Sequence, residues 1–237
     1  MHLKVDFIAE TKHLLALSKP AGLIVHRDGR NEEPSLCEWV GEKYPTLRGV
    51  GGVWVSPQGE EILLNGVVHR LDKQTSGVVL VAKDEETFAA LKAEFKARRV
   101  KKNYLAYVHG HMDGGGEVVA EITRTTEVPK RWFAKPCEQT DARAAITEWR
   151  LVKHLTAEGN EPASLIEVKP KTGRTHQIRV HLASIGHPII ADTLYGFGEL
   201  LLGFKRLALH ALCIDFVLRG ENLVFEVPLP DDFQRIK

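Results

Sequence analysis

His69-Arg70-Leu71-Asp72-Lys73-Gln74-Thr75-Ser76-Gly77 runs directly into Val78-Val79-Leu80-Val81-Ala82. The second part is an unbroken apolar, β-branched run and predicts a buried strand. The first part places a single carboxylate, Asp72, on the loop that enters that strand, followed by a small polar turn at Thr75-Ser76-Gly77. A carboxylate so placed is held firmly and partly dried, as a catalytic acid, base or nucleophile must be. From the residues alone a second reading stays open, in which Asp72 caps the backbone of its own turn.

Working outward, residues 13–26 predict a strand, a turn at Lys19-Pro20-Ala21-Gly22 and a second strand through Leu23-Ile24-Val25. Leu36, Trp39, Val40 and Tyr44 recur at helical spacing within 35–44, and the Gly- and Pro-rich stretch 45–61 predicts a long loop. Beyond the buried strand, Asp84 is placed to cap a helix whose Phe88, Leu91 and Phe95 form one apolar stripe. Strands are expected at 103–109, 118–122, 145–152 and 164–169, a helix at 174–185 ended by Gly186, and two strands within 207–228 around the turn Arg219-Gly220-Glu221-Asn222. Strands outnumber helices, and hairpin spacings outnumber strand-helix-strand units. The expected fold is α+β, a mainly antiparallel mixed β-sheet with flanking helices and loops, in one domain over 1–237. No glycine-rich fingerprint follows a strand, which disfavours a dinucleotide-binding or P-loop core.

The chain has 237 residues, 43% hydrophobic and 27% charged, an ordinary balance for a folded globular protein. It carries no apolar run long enough to span a membrane and no signal-peptide core at its start. Cys37, Cys137 and Cys213 are scattered and odd in number. They make no disulfide framework and no zinc pair, which points to a reducing, cytoplasmic compartment. The 32 basic and 31 acidic residues nearly cancel, so an RNA-binding face would need segregated charge. The pattern permits it. Arg98, Arg99, Lys101 and Lys102 cluster, Lys130-Arg131 precede Trp132-Phe133, and Lys169, Lys171, Arg174 and Arg179 fall close together.

Two further stretches carry chemistry. In Lys102-Asn103-Tyr104-Leu105-Ala106-Tyr107-Val108-His109-Gly110, a strand would put Tyr104, Ala106 and Val108 on one face. The small Ala106 leaves room for a base to stack on Tyr104. In Lys169-Pro170-Lys171-Thr172-Gly173-Arg174-Thr175-His176-Gln177-Ile178-Arg179-Val180-His181, the predicted helix puts His176 and Arg179 on one face, with Arg174 at its start, where backbone N–H groups attract phosphate.

Taken together, H-R-L-D-x-x-T-S-G at 69–77, K-x-Y-x-A-x-V-x-G at 102–110 and G-R-T-H-Q-I-R at 173–179 resemble the three motifs of the RluA-type pseudouridine synthases, which isomerise uridine in structured RNA. Leu17-Ser18-Lys19-Pro20-Ala21-Gly22-Leu23, Gly186-His187-Pro188-Ile189-Ile190-Ala191-Asp192 with Tyr195-Gly196, and Leu207-Ala208-Leu209-His210-Ala211 are also similar to elements of that family. The resemblance covers roughly residues 14–230 and includes no separate N-terminal RNA-binding domain. Ser18 stands where the family usually has Asn, and Ala191 where it has Gly. Both departures bear on local turn geometry rather than on the chemistry.

The resemblance implies an RNA pseudouridine synthase without cofactor or metal, acting as a monomer on rRNA or tRNA. It implies Asp72 as the catalytic carboxylate, Tyr104 against the target base, Arg179 as the ion-pair partner of Asp72, and Arg70 as the residue that fills the space the flipped base leaves. Arg174, Lys171, Lys102, Arg131 and His176 are expected on the RNA-binding surface, largely at phosphates. Two other classes compete. One is a non-catalytic RNA-binding protein on the same scaffold. The other is a hydrolase with paired carboxylates, which lacks a second carboxylate in a comparably framed motif. Lys171-Thr172-Gly173 has no S-x-x-K companion, and His176 and His181 lack the H-E-x-x-H zinc spacing.

Overall fold

The computed structural model describes residues 4–29, 32–125, 131–141 and 143–236. Lys130, half of one basic pair, lies outside them. The chain divides into two compact units, one running to Val100 and resuming over Cys213–Val227, the other Lys101–Leu212 with the residues from Pro228 onward.

The first unit contains β1 (Asp6–Glu10), β2 (Leu14–Lys19), α1 (Leu36–Lys43), β3 (Val53–Val55), β4 (Glu61–Leu63), β5 (Ser76–Ala82) and α2 (Glu85–Lys96). β2 pairs antiparallel with β1 on one side and β5 on the other, Lys19 lying opposite Gly77. The expected buried strand is there: every residue of β5 is buried. Both helices start where their caps dictate. Ser35 and Glu38 form a reciprocal capping box at α1, and the Asp84 carboxylate accepts the Thr87 N–H at α2.

Two expectations in this unit need correction. Leu23-Ile24-Val25 forms no strand, only an isolated parallel bridge from Ile24 to Ser35, because the segment spends its backbone groups on the start of α1 (Leu36 N–H to Ile24 O, Cys37 N–H to Val25 O). The stretch 45–61 is not structureless either. It holds a 3-10 turn at Pro45–Leu47 and the β3 strand, which pairs with β4 as a hairpin. These strands are too short to show periodicity against their Gly and Pro flanks. They are stabilised by Ile62, which is buried, and by Trp54 packing on His26 at 4.5 Å.

The second unit contains β6 (Lys101–His109), β7 (Gly115–Arg124), β8 (Trp132–Pro136), β9 (Ala144–Thr156), β10 (Pro162–Pro170) and α3 (Gln177–Ser184). Its strands lie in the order β6-β10-β9-β7-β8, all antiparallel. Ala106, Val108, Ile166, Val168, Ile178 and Leu182 build the core beneath α3. The edge strand β8 went unforeseen, since Trp132-Phe133 reads as an aromatic pair after a basic one. β11 (Leu209–Leu218) gives its start to this unit and its end to the first, where it forms the expected hairpin with β12 (Glu221–Glu226). The short α4 (Asp231–Gln234) closes the second unit. The architecture is α+β, as expected. No helix among the described residues is long and apolar enough to cross a membrane.

Candidate active site

In the first unit the 69–77 loop is tied down at both ends. The His69 ring accepts the Leu80 N–H of β5 at 3.0 Å and lies 4.8 Å from the Phe95 ring. The Thr75 N–H returns to the Asp72 carbonyl at 3.1 Å, closing the turn, and Gly77 enters β5 at φ 126°, a backbone that glycine adopts without strain. Leu71 is buried, and Asp72 beside it is half-buried.

Lys19, at the end of β2, is fully buried. Its ammonium donates to the carbonyls of Pro20 (2.9 Å), Leu23 (2.8 Å) and Lys73 (3.2 Å). The Lys73 carbonyl also accepts the Gly22 N–H at 2.7 Å. The Lys-Pro-Ala-Gly turn is therefore docked on the residue that follows Asp72, which gives that turn a purpose its own sequence does not reveal. Arg70 is exposed and donates through Nη1 to His26 Nε2 at 3.1 Å.

In the second unit Tyr104 is half-buried on β6, opposite Val168 and packed against the core that includes Ala106 and Val108. The third motif is organised by Gln177, whose Oε1 accepts the Thr172 hydroxyl (2.7 Å) and the Arg174 N–H (3.0 Å). Its Nε2 donates to the Ile146 carbonyl and the Thr147 hydroxyl, both at 2.9 Å. This side-chain knot holds 172–176 as a turn, so α3 begins at Gln177 rather than at 174. His176 sits just before it at φ 54°. The expected helical face shared by His176 and Arg179 is therefore corrected. The two are linked instead through Tyr195: His176 Nδ1 meets its hydroxyl at 2.7 Å, and the Arg179 guanidinium lies 5.0 Å above its ring.

Arg179 is nearly buried and makes a two-pronged pair with Asp192, Nε to Oδ2 at 2.8 Å and Nη2 to Oδ1 at 2.7 Å. Asp192 Oδ1 also accepts the N–H groups of Leu194 and Tyr195. Burial works against the Asp192 charge, but the guanidinium and these backbone donors outweigh it and hold the carboxyl below its ordinary range. A Cβ at Gly196 would come within 2.8 Å of the Asp192 carbonyl, which is why Gly follows Tyr195.

The expected phosphate contacts are dispersed in their engagements. The Lys102 ammonium donates to the Thr172 carbonyl at 3.2 Å and so reinforces the third motif. Lys171 pairs with Glu148 at 2.7 Å on the surface, and Arg174 and Arg131 are exposed. Arg131 adjoins Trp132, whose N–H reaches the Tyr195 hydroxyl at 3.3 Å. Asp72 and Arg70 thus belong to the first unit. Tyr104, Arg179, His176, Arg174, Lys171, Lys102 and Arg131 belong to the second.

Residues 13–184 match the RNA pseudouridylate synthase family. The chain belongs to that family. It is 36% identical to the ribosomal large subunit pseudouridine synthase D of Zymomonas mobilis, over 98% of this chain and 71% of that protein. It is likewise 36% identical to the protein of the same name in Xanthomonas campestris, over 99% of this chain and 69% of that one. In fold it is similar to human RNA pseudouridylate synthase domain containing 1, with a TM-score of 0.70 at 24% identity, covering 96% of this chain and 84% of that one. The chain is an RNA uridine isomerase.

Sequence reading places Lys19, Gln177, Asp192 and Tyr195 in family-like elements without giving them a supporting role, and it gives none to His26. A signal was present for Asp192, a lone carboxylate after the apolar run Pro188-Ile189-Ile190-Ala191, because such a group needs a cationic partner when buried. The departure at Ala191 has a structural cost. Ala191 sits at φ 58°, the left-handed region that glycine enters freely.

Proposed function

We propose that this isomerase acts on uridines in folded ribosomal RNA, with Asp72 as its catalytic carboxylate. The anchoring of the Asp72 loop by Lys19 and His69 carries the reading, since it fixes a half-buried carboxylate at the mouth of a rigid strand. The names of two similar relatives favour the large ribosomal RNA over transfer RNA.

In this reading the target uridine leaves the stack, at a cost of a few kcal/mol, and Arg70 fills the space. Asp72, ionised, acts as nucleophile or base at the ribose. The C1′–N1 bond breaks, the base turns, and C1′ bonds to C5. C5 loses its hydrogen as a proton and N1 gains one. Tyr104 stacks on the uracil, and Arg179 acts as the ion-pair partner that aims Asp72. Lys102, Lys171, Arg174, Arg131 and His176 meet the RNA backbone. The protein works in the cytoplasm as a monomer, without metal or cofactor.

The test is tritium release from ribosomal RNA labelled at uracil C5, with Asp72→Asn beside the wild type. The wild type should release tritium. The variant should bind RNA and release none, because an amide is neither nucleophile nor base here. Turnover by the variant would remove Asp72 from its role, and release from transfer RNA alone would redirect the substrate.

A further inference from the structure

We infer that His26 is a positioning residue for the isomerisation, holding the Arg70 guanidinium in the orientation from which it enters the RNA stack. The inference rests on the proposed role of Arg70 in base flipping.

A guanidinium only donates, so the 3.1 Å contact from Arg70 Nη1 requires His26 Nε2 to be an acceptor. The ring proton must then sit on Nδ1, which lies 2.9 Å from the Arg27 carbonyl and donates to it. Both nitrogens have one assigned task, and only the neutral ring in this tautomer performs both. The ring plane is held by Trp54 of β3 at a centroid distance of 4.5 Å and an angle of 48°. Arg27 is itself pinned to Glu38 on α1 at 2.7 Å. Arg70, an exposed and flexible side chain, is thus braced through His26 by elements on two sides. A long side chain that is already ordered loses less freedom when it enters the RNA.

The surroundings favour the neutral ring. Burial pushes the His26 pKa down, the Arg27 carbonyl pushes it up, and the nearby Arg70 charge pushes it down again. Asp28 and Lys92 on α2 act in opposite directions, and the net shift is downward. Protonation at lower pH would remove the acceptor and set two cations against each other.

Three variants test this by tritium release. His26→Phe keeps a ring against Trp54 but has no acceptor. His26→Gln offers an amide oxygen near the place of Nε2. Arg70→Ala removes the group being positioned. His26→Phe should lower kcat about tenfold, in keeping with the loss of one charge-assisted hydrogen bond, with KM within about twofold. His26→Gln should recover most of that loss. The wild-type rate should fall on acidification through a pKa below 6.5, and this limb should be absent in His26→Gln. Once Arg70 is Ala, adding His26→Phe should change nothing further.

A fully active His26→Phe alongside an impaired Arg70→Ala overturns the inference alone. So does an equal defect in His26→Gln, or a His26→Phe effect undiminished in the Arg70→Ala background, either of which would make His26 merely structural. A fully active Arg70→Ala instead overturns the role proposed for Arg70.

Discussion

The Asp72 loop of the first unit and the Arg179 segment of the second solve one problem in opposite ways. Each must hold a charged side chain next to an apolar core. Around Asp72 the rigidity comes from backbone groups. The fully buried Lys19 donates to three carbonyls and fastens the turn after β2 to Lys73. Around Arg179 it comes from side chains: Asp192 matches the guanidinium through two bonds, and Gln177 ties the preceding turn to β9. Removing Lys19 leaves three neutral carbonyl acceptors behind. A cation paired with a carboxylate leaves a buried charge. Deletion should therefore be more damaging in the second region.

The largest effect is expected for Arg179→Ala. It strands Asp192 and should cost about 3–5 kcal/mol in urea unfolding. Arg179→Ala with Asp192→Asn should recover part of that cost, and a double variant no more stable than the single would break the comparison. Acid should also strike the second region. Burial pushes the α3 residue His181 down to about 4, against an unfolded value near 6.5. The unfolded chain then binds the extra proton between these values, so stability is full above pH 6.5 and drains as pH falls toward 4. The loss from this group is on the order of 3 kcal/mol. A flat stability curve across that window would exclude a neutral buried ring.

Lys19→Met should cost about 2 kcal/mol, less than Arg179→Ala, and should lower kcat because the Asp72 loop loosens. A cost as large as that of Arg179→Ala would show that the two anchoring modes are equivalent. The smallest effect is a gain. Ala191→Gly relieves a left-handed alanine beside Asp192 and should raise stability by about 0.5–1 kcal/mol, measurable as a raised urea midpoint.

How much was legible follows from the range of the interactions. β5 could be read because seven consecutive residues need the same environment, and α2 because its cap Asp84 lies three residues from the N–H it satisfies. The β11–β12 hairpin could be read from its turn at Arg219-Gly220. The β3–β4 hairpin could not, since its strands are three residues long and Trp54 rests on His26. The start of α3 is not legible in the sequence because Gln177 chooses partners on β9, thirty positions back.

The sequence by itself determined the family, the catalytic carboxylate expected of it and the strands and helices whose patterns repeat locally. Only the tertiary structure decided that Lys19 would brace the Asp72 loop, that Asp192 would hold Arg179 and that His26 would meet Arg70. Those decisions depend on hydrogen bonds and ion pairs between residues distant along the chain, and such pairs leave no period in a sequence. They exist only once the hydrophobic core has brought their partners together.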